Sequence, residues 1–322
     1  MRNEKRGYLL ILLAAVIFST TEVALKLLGS SFAPMQLTVE RVLIGAFALL
    51  PLALRDLKRR GVRLDGGDLR YFALLGFLTV LVHMTLLQMA VLHADASATA
   101  IIYSGNPIFA AFFAHMILRE PLRRNHLLAI ALEFVGILVI LNPPHFEMSP
   151  RGFLEILVAT VCFACYGVLC KLRVERLGST AIASMNMLFG GAEMLALLLL
   201  GKLGPVAQLY DRVGLGVFAR VPLTEGFTPF STVVLLYVGV VVAGGGFLLT
   251  GQIAKDTSAT EASFMYLLKP IFATAVAATI LHEHISAHRI AGILIFTLAS
   301  LCVFLPVLRE LVREKRAARK ES

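Results

Sequence analysis

Charged residues are scarce in this chain of 322 residues, at 16% of the sequence. A soluble domain has about a quarter of its residues charged, so this scarcity argues against an ordinary soluble protein. The sequence also lacks a glycine-rich nucleotide-binding loop, which argues against ATP hydrolysis by this chain. It contains no RNA- or DNA-binding motif and no long basic face, so the net charge of +9 does not indicate a nucleic-acid partner.

Cysteine is rare as well, and all four cysteines fall inside apolar segments: Cys162, Cys165, Cys170 and Cys302. The Cys162-x-x-Cys165 spacing occurs in redox and metal sites, but neither a βαβ context nor a second pair accompanies it here. The His282-Glu283-His284 run lacks the His-Glu-x-x-His spacing of a zinc site. We therefore expect no disulfide framework, no metal and no cofactor.

Long apolar segments are what the sequence does contain, because 58% of its residues are hydrophobic and its mean hydropathy is +0.81. A helix needs about 20 apolar residues to cross a bilayer. By this measure we predict an all-α integral membrane protein with ten spans, at 7–28, 34–54, 71–92, 96–118, 126–141, 152–172, 180–200, 232–254, 257–281 and 288–307. The N-terminus resembles a signal peptide, but its apolar run continues to Leu28, so we interpret it as a retained first helix.

The connecting segments carry positive charge unevenly. With a cytoplasmic N-terminus, the inside segments hold 22 of the 30 lysines and arginines and the outside segments hold five. Cytoplasmic loops of membrane proteins are enriched in these residues. The pattern predicts a multi-pass membrane protein with both termini in the cytoplasm.

One proline motif occurs twice, in two different apolar segments. Asn106-Pro107-Ile108-Phe109-Ala110 recurs as Lys269-Pro270-Ile271-Phe272-Ala273, with a tyrosine four residues before each proline, Tyr103 and Tyr266. A Leu-x-Glu sequence follows each copy at the same spacing and ends at Glu120 and at Glu283. Proline frees a carbonyl group and kinks a helix, so Pro107 and Pro270 are predicted hinges.

The repeat extends, more faintly, over the rest of the chain. Val16, Phe18, Val23 and Lys26 match Val161, Phe163, Val168 and Lys171, and Leu43 and Gly45 match Leu188 and Gly190. We predict a five-helix unit over 1–145, a second unit over 146–308 and a basic cytoplasmic tail over 309–322. An odd number of spans inverts the second unit, and inverted repeats are typical of alternating-access carriers with a site near the midplane. The segment 201–231 is predicted to be an external loop.

Ionisable residues inside the membrane are costly and mark either a function or a buried pair. Glu22 lies one turn before Lys26, so it forms a local pair or faces a polar cavity. Arg41 suits an anionic substrate, because its guanidinium can bind a carboxylate at two points. Lys269 at the bilayer centre must either be paired or lose its charge through burial, and Glu193 is a candidate partner.

The remaining candidates for substrate or ion binding follow from the repeat. Tyr103, Asn106 and Tyr266 can form hydrogen bonds with a polar ligand while presenting an apolar surface. Together with Glu22, Arg41, Glu193 and Lys269 they make up the predicted site, which has no catalytic group. The duplicated proline motif, with one polar neighbour in each copy, therefore indicates a paired site.

Ten spans, two inverted halves and the repeated Tyr-x-x-(Asn/Lys)-Pro-Ile-Phe-Ala motif resemble the EamA-type carriers of the drug/metabolite transporter superfamily. The resemblance covers essentially the whole chain. It implies helices 1–4 and 6–9 around a central cavity, and export or exchange of small metabolites such as amino acids or drugs at the cell inner membrane. Many members carry a Trp-Gly or similar uncharged stretch in helix 1, whereas this chain has no tryptophan and reads Phe18-Ser19-Thr20-Thr21-Glu22 there.

Two other interpretations remain open. A lipid-linked sugar or a nucleotide sugar is an alternative substrate within the same superfamily. An intramembrane lipid-modifying transferase is less favoured, because the polar residues are scattered in depth rather than gathered at one face. A merely structural membrane protein does not explain the inverted repeat. The expected partners are a small-molecule substrate and the lipid bilayer, with a homodimer left open.

Overall fold

A computed structural model of the chain describes residues 2–93, 99, 102–141, 149–280, 287–288, 290–299 and 301–302. These residues form helices joined by turns, with no strand among them. The helices are α1 (Arg2–Ser19), α2 (Thr21–Leu28), α3 (Pro34–Arg59), α4 (Gly66–Gly76), α5 (Thr85–His93), α6 (Asn106–Leu118), α7 (Arg124–Leu141), α8 (Pro150–Leu177), α9 (Ser179–Leu200), α10 (Gly204–Arg212), α11 (Pro229–Leu236), α12 (Gly246–Asp256), α13 (Ala259–Ser263), α14 (Met265–Ile280) and α15 (Ile290–Ala299).

Six helical stretches in the described part of the chain are long and apolar enough to cross a membrane: Arg6–Leu25, Pro34–Arg59, Gly66–Ala90, Pro150–Leu177, Ser179–Leu200 and Pro229–Asp256. Two shorter apolar helices, Ile102–Leu118 and Ile290–Ala299, accompany them. Large apolar side chains such as Phe47 and Phe134 point outward and are more than half exposed, as lipid-facing residues are. The prediction of an all-helical, multi-pass membrane protein is confirmed, while the number of ten spans stays a prediction.

Three of the predicted spans are interrupted near their middle or first third. The first helix breaks at Thr20, the fourth turns at Gly105, and the ninth turns at Phe264. The break at Gly105 differs from the expectation for Pro107, which lies in the first turn of α6 and not inside a continuous helix. Proline fits the first turn because the N–H that it lacks would have no partner there. Interrupted helices expose backbone groups that bind substrates or ions in many carriers.

The third and eighth spans each contain a π-helical stretch. Phe77–Met84 joins α4 to α5, and Tyr237–Gly245 joins α11 to α12. Long π-helical segments are rare and are found mostly at functional sites. Each stretch adjoins a glycine contact with the other half of the chain, made by the pairs Gly76–Gly190 and Gly45–Gly239.

The two glycine contacts are similarly close. A Cβ atom added to Gly190 would lie 2.7 Å from the carbonyl oxygen of Gly76, and one added to Gly45 would lie 2.7 Å from that of Gly239. Only a residue without a side chain allows backbones to approach so closely. Because the sequence repeat matches Gly45 with Gly190, related positions of the two halves make the same kind of contact.

The segment 201–231 is ordered on the end of the helix bundle. It contains α10 and a 3-10 turn, Gly216–Phe218. Gln36 at the start of α3 donates a hydrogen bond to the carbonyl of Glu225, and the Phe227 ring meets the Phe32 ring edge-on at 5.2 Å. The loop is therefore fastened to the connection between the first two spans.

Candidate functional site

A cluster of seven rings lies buried where the interrupted helices meet. Its members come from both halves of the chain and are called the aromatic cluster below: Phe18, His83, Tyr103, Phe163, Tyr166, Phe247 and Tyr266. Phe163 on α8 is at its centre, with ring centroids 4.5 Å from His83, 5.7 Å from Tyr103 and 5.7 Å from Tyr266. Such a surface suits a ligand with an apolar or flat body.

The interruptions in the helices place these rings. Phe18 lies two residues before the break at Thr20, Tyr103 two residues before the turn at Gly105, and Tyr266 two residues after the turn at Phe264. The Thr20 hydroxyl bonds back to the carbonyl of Ile17 and lies 2.7 Å from the Tyr237 hydroxyl, on the π-helical stretch. Side-chain bonds of this kind satisfy the groups that a helix break leaves unpaired.

Two buried cations approach the cluster from opposite halves. Lys269 on α14 places its Nζ atom 4.7 Å from the centroid of the Tyr103 ring, which is within the range of a cation–π interaction. Arg41 on α3 is buried, and the charges of Arg41 and Lys269 both act on the His83 ring. The centre of the protein therefore combines aromatic faces with cationic groups, which can bind an amphipathic molecule with an anionic end.

Polar groups fix several of these rings. His83 donates through Nδ1 to the carbonyl of Ala159 at 3.1 Å, and its Nε2 atom lies 3.5 Å from the Tyr103 hydroxyl. The Tyr166 hydroxyl accepts a hydrogen bond from Asn186 at 3.1 Å. Rings held in this way have fixed orientations.

The structure brings four of the predicted site residues to this centre, namely Arg41, Tyr103, Tyr266 and Lys269. Asn106 is buried beside it and donates to the carbonyl of Thr160 at 3.4 Å. Glu193 on α9 is half-buried, and its Oε2 atom has no hydrogen-bond partner; its pairing with Lys269 stays a prediction. The side chains of Glu22 and Pro270 lie outside the described residues.

The site predicted from the sequence left out the phenylalanines of the cluster and His83. The internal repeat did contain a signal, since it matched Phe18 with Phe163. These two rings each contact Tyr266, at 5.9 and 5.7 Å. Residues that occupy matched positions in both halves are thus candidates for the site even when they carry no polar group.

A narrow cavity lies next to the cluster, on the side of α12 and α13. Its lining includes Asn106, Ala110, Phe163, Ser263 and Tyr266. Its free volume of about 20 Å³ holds about one water molecule, so a metabolite does not fit in this conformation. The helices around it must separate before anything larger enters from this side.

Beyond this cavity, a carboxylate joins the two halves of the chain. Glu120, after the end of α6, accepts hydrogen bonds from the Lys171 ammonium at 2.9 Å, from the backbone N–H of Ala259 at 3.0 Å and from the Thr260 hydroxyl at 3.1 Å. The N-terminus of α13 favours negative charge at this position. We call this arrangement the Glu120 latch.

The latch keeps its carboxylate charged. Burial alone would raise the pKa of Glu120, but the hydrogen bond from the Ala259 backbone and the ammonium of Lys171 outweigh it, and the pKa lies below its usual value of 4.5. At neutral pH the latch is therefore a closed ion pair.

Further ion pairs join the halves at the same end of the bundle. Asp68, fully buried at the start of α4, binds Arg173 at 2.6 Å and also Arg176, both near the end of α8. Arg6 lies 3.7 Å from Asp256 at the end of α12. The end that carries the Glu120 latch is thus closed by several charged contacts.

Apolar helices around a buried aromatic and cationic centre define a multi-pass membrane protein of the transporter class. The model of the EamA-like transporter family matches residues 5–142 and again residues 150–305. The chain belongs to this family.

Relatives agree with that assignment. An uncharacterized transporter of Clostridium kluyveri is 34% identical over 305 residues, which cover 92% of each chain. The uncharacterized transporter YoaV of Bacillus subtilis is 21% identical over 88% of this chain and 92% of its own length. A solved crystal structure with 16% identity superposes with a TM-score of 0.68 over 95% of this chain and 98% of its own, which shows the fold alone.

Proposed function

We propose that this protein is a secondary transporter that moves small amphipathic metabolites across the inner membrane by alternating access. In this proposal ten spans form two inverted five-helix halves, with both termini in the cytoplasm. The observation that carries it is the meeting of repeat-related residues at one point. Tyr103 and Tyr266 contact each other at 5.5 Å, and their phenylalanine partners Phe163 and Phe18 contact the same rings. A site shared by two inverted halves can open to either side in turn.

The proposed binding site is the aromatic cluster with Arg41 and Lys269. The rings supply apolar contact area, while the two cations bind an anionic group such as a carboxylate. Amino acids and drug-like organic anions have this combination. Asn106, at the edge of the narrow cavity, can bind a polar group of the same ligand.

The proposed cytoplasmic gate is the Glu120 latch. It closes the narrow cavity on the side where α6 and α8 end and α13 begins, so the cavity opens to this side only when the latch breaks. The repeat matches Glu120 with Glu283 and Lys171 with Lys26. We propose that Glu283 and Lys26, whose side chains lie outside the described residues, form the corresponding external gate.

The proposed movement uses the helix interruptions and the π-helical stretches. Backbone turns at Gly105 and Phe264 let the two ends of a span move separately around the site. The glycine contacts at Gly45 and Gly190 provide smooth surfaces on which spans of opposite halves slide. The aromatic cluster itself stays between them as the fixed part.

Transport by purified protein in proteoliposomes tests the proposal. Vesicles receive a pooled mixture of amino acids and other small metabolites, with and without a pH gradient, and the contents are identified by mass spectrometry. Lys269→Met removes the cation and keeps the length of the side chain. Losing one charge-assisted contact weakens binding by roughly 10- to 100-fold. Phe163→Leu and Glu22→Gln probe the cluster and the first helix in the same assay.

Lys202→Met is the matched control, because Lys202 is exposed on the 201–231 segment and not on a helix that carries the aromatic cluster. It removes the same charge without touching the cluster. We expect normal transport by this variant and loss of transport by Lys269→Met and Phe163→Leu. Equal transport by all of them would overturn the proposed site, and absence of any transport by the wild type would overturn the substrate class.

A further inference from the structure

Glu133 is a buried carboxyl group that the proposed transport site does not use. It lies near the middle of α7 and is 0% exposed. Both of its carboxyl oxygens lack a hydrogen-bond partner. Buried polar atoms nearly always have a partner, so two on one side chain require an explanation.

The surroundings of Glu133 are apolar. One turn before it, Ala129 packs with Phe264, Leu267, Phe296 and Ala299 in a buried cluster. Three residues after it, Gly136 faces the Phe296 ring on α15. Glu133 therefore lies where α7 packs against α14 and α15, and not on the surface of α7 that faces lipid, where Phe134 is exposed.

Few ionisable groups face Glu133 from the helices around it. On α7 the nearest on the same face is His126, two turns earlier, and on α13 Glu261 lies 3.7 Å from the Nε2 atom of His126. Tyr8 on α1 and Cys302 border the same apolar cluster. Lys269 on α14 faces the Tyr103 ring instead. In the described part of the chain no charged side chain acts on Glu133.

These contacts limit what Glu133 can bind. An ionised carboxylate without a partner is too costly in such a place. A metal ion needs several ligands, and among the described residues no group of three histidine, cysteine, aspartate or glutamate side chains comes together. A proton is the one ligand that a single carboxyl group binds without help from another side chain.

Two further titratable groups lie towards the end of the bundle that carries the Glu120 latch, on the side of α7 that also carries Glu133. His126 is 3% exposed, and neither of its ring nitrogens has a hydrogen-bond partner. Beyond it, Glu261 lies 3.8 Å from Arg123. Glu133, His126 and Glu261 thus form a line of titratable groups from mid-helix to the end that carries the Glu120 latch.

We propose that Glu133 is a proton-binding site that couples transport to the proton gradient. It holds a proton while α7 packs against α14 and α15, and releases it towards His126 when these helices separate. This inference rests on the proposed function. It also assigns an energy source to a helix that lies away from the aromatic cluster.

Labelling with dicyclohexylcarbodiimide tests the site without any substrate. A protonated carboxyl group in an apolar place adds its O–H across one C=N bond of the reagent: the oxygen bonds to carbon and the proton moves to nitrogen. The resulting O-acylisourea rearranges to a stable N-acylurea, with no leaving group, and mass spectrometry locates it. An ordinary glutamate is protonated in about one molecule in 500 at pH 7, so we expect labelling of Glu133 to exceed that of exposed glutamates by on the order of a hundredfold.

Two controls are present in the chain. Glu155 is paired with His93 and Arg151, and Glu120 is held in the latch, so neither should react at neutral pH. Glu133→Gln should remove the label, and Glu133→Asp should retain part of it. Labelling of Glu133 no stronger than that of Glu155 would overturn the proposed proton site.

A second experiment tests whether protonation of Glu133 is coupled to opening of the narrow cavity. Ala110, which lines it, is replaced by cysteine in a protein whose four native cysteines are alanine, and the rate of reaction with N-ethylmaleimide is followed from about pH 6 to pH 9. The same protein with Glu133→Gln corrects for titration of the thiol itself. We expect the ratio of the two rates to change with pH by several-fold.

A ratio that stays constant with pH would overturn the coupling. If the thiol in the cavity reacts in neither protein, alternating access fails instead, and the carbodiimide labelling still decides whether Glu133 binds a proton. The two measurements therefore separate failure of this inference from failure of the proposed function.

Discussion

Neutralising Glu120 should open the end of the protein that the Glu120 latch closes. Glu120→Gln keeps the size of the side chain but removes its charge. The glutamine can still accept hydrogen bonds from α13, whereas the ion pair with Lys171 at 2.9 Å is lost. The closed conformation should therefore become less stable relative to the open one.

The size of the effect follows from the contacts. Glu120 accepts from Lys171, from two backbone N–H groups and from the Thr260 hydroxyl, and its side chain is only 13% exposed. Hydrogen bonds to charged groups contribute about 1.5–3 kcal/mol each when one partner is removed. Because the glutamine retains some of these contacts, we expect a loss of about 2 kcal/mol, which shifts the ratio of closed to open protein roughly 30-fold.

Spin labels across this end measure the shift. Cysteines at the exposed positions Arg119 and Leu172 carry the labels, and pulsed electron paramagnetic resonance gives the distance distribution. Wild type should show mainly the short distance, and Glu120→Gln should add a longer one. Lys171→Met should do the same, and the double variant should add little, because both changes remove one shared interaction.

Glu175→Gln is the matched control for charge, since Glu175 is exposed near the same end of α8. Its distance distribution should equal that of the wild type. The reasoning is refuted if Glu120→Gln leaves the distribution unchanged, or if Glu175→Gln alters it to the same extent.

Three further predictions concern pH and stability. Because the pKa of Glu120 in the folded protein lies below its usual 4.5, the latch is fully stabilising above pH 4.5 and weakens as pH falls further, so the long spin-label distance should grow in wild type only in that acidic range. Gly190→Ala places a Cβ atom against the Gly76 backbone and should lower Tm, whereas Gly167→Ala, whose Cβ meets nothing within 4 Å, should raise the stability by about 0.5–1 kcal/mol in a thermal-unfolding assay. Asp68→Asn leaves Arg173 and Arg176 without their buried carboxylate and should cost about 3 kcal/mol, seen as a Tm lower by roughly 6 °C, while equal Tm values would contradict a stabilising role.

Apolar length and charge placement were enough to predict the membrane class and several helices. The predicted span 180–200 nearly coincides with α9 at Ser179–Leu200, and 34–54 lies inside α3 at Pro34–Arg59. These helices have hydrophobic runs with few polar interruptions, so composition alone decides them. The family assignment, which came from the repeated proline motif, is confirmed by the match of the family model.

The interruptions of the helices were not predictable in the same way. Thr20 has neither glycine nor proline beside it, and the break there is stabilised by the distant Tyr237 hydroxyl. Proline predicted an irregularity near Gly105, but its position two residues earlier depends on tertiary packing. Neither π-helical stretch could be predicted from the sequence. Its residues have the same apolar composition as an ordinary α-helical span.

The candidate site was only partly accessible to sequence reasoning. Tyr103, Tyr266 and Lys269 were found because a duplicated motif singled them out. Phe163, the centre of the cluster, is one of 21 phenylalanines, and nothing local distinguishes it from a lipid-facing ring such as Phe134. Glu133 lies within the predicted span 126–141, and its lack of any hydrogen-bond partner became visible only with the packing of α7.

Each half of the chain has its own π-helical stretch, beside a glycine contact with the opposite half. A deletion of one residue that converts one stretch to a regular helix leaves the other stretch intact. Natural selection can therefore change the backbone geometry of one half without changing that of the other, so the two copies of the repeat can diverge separately.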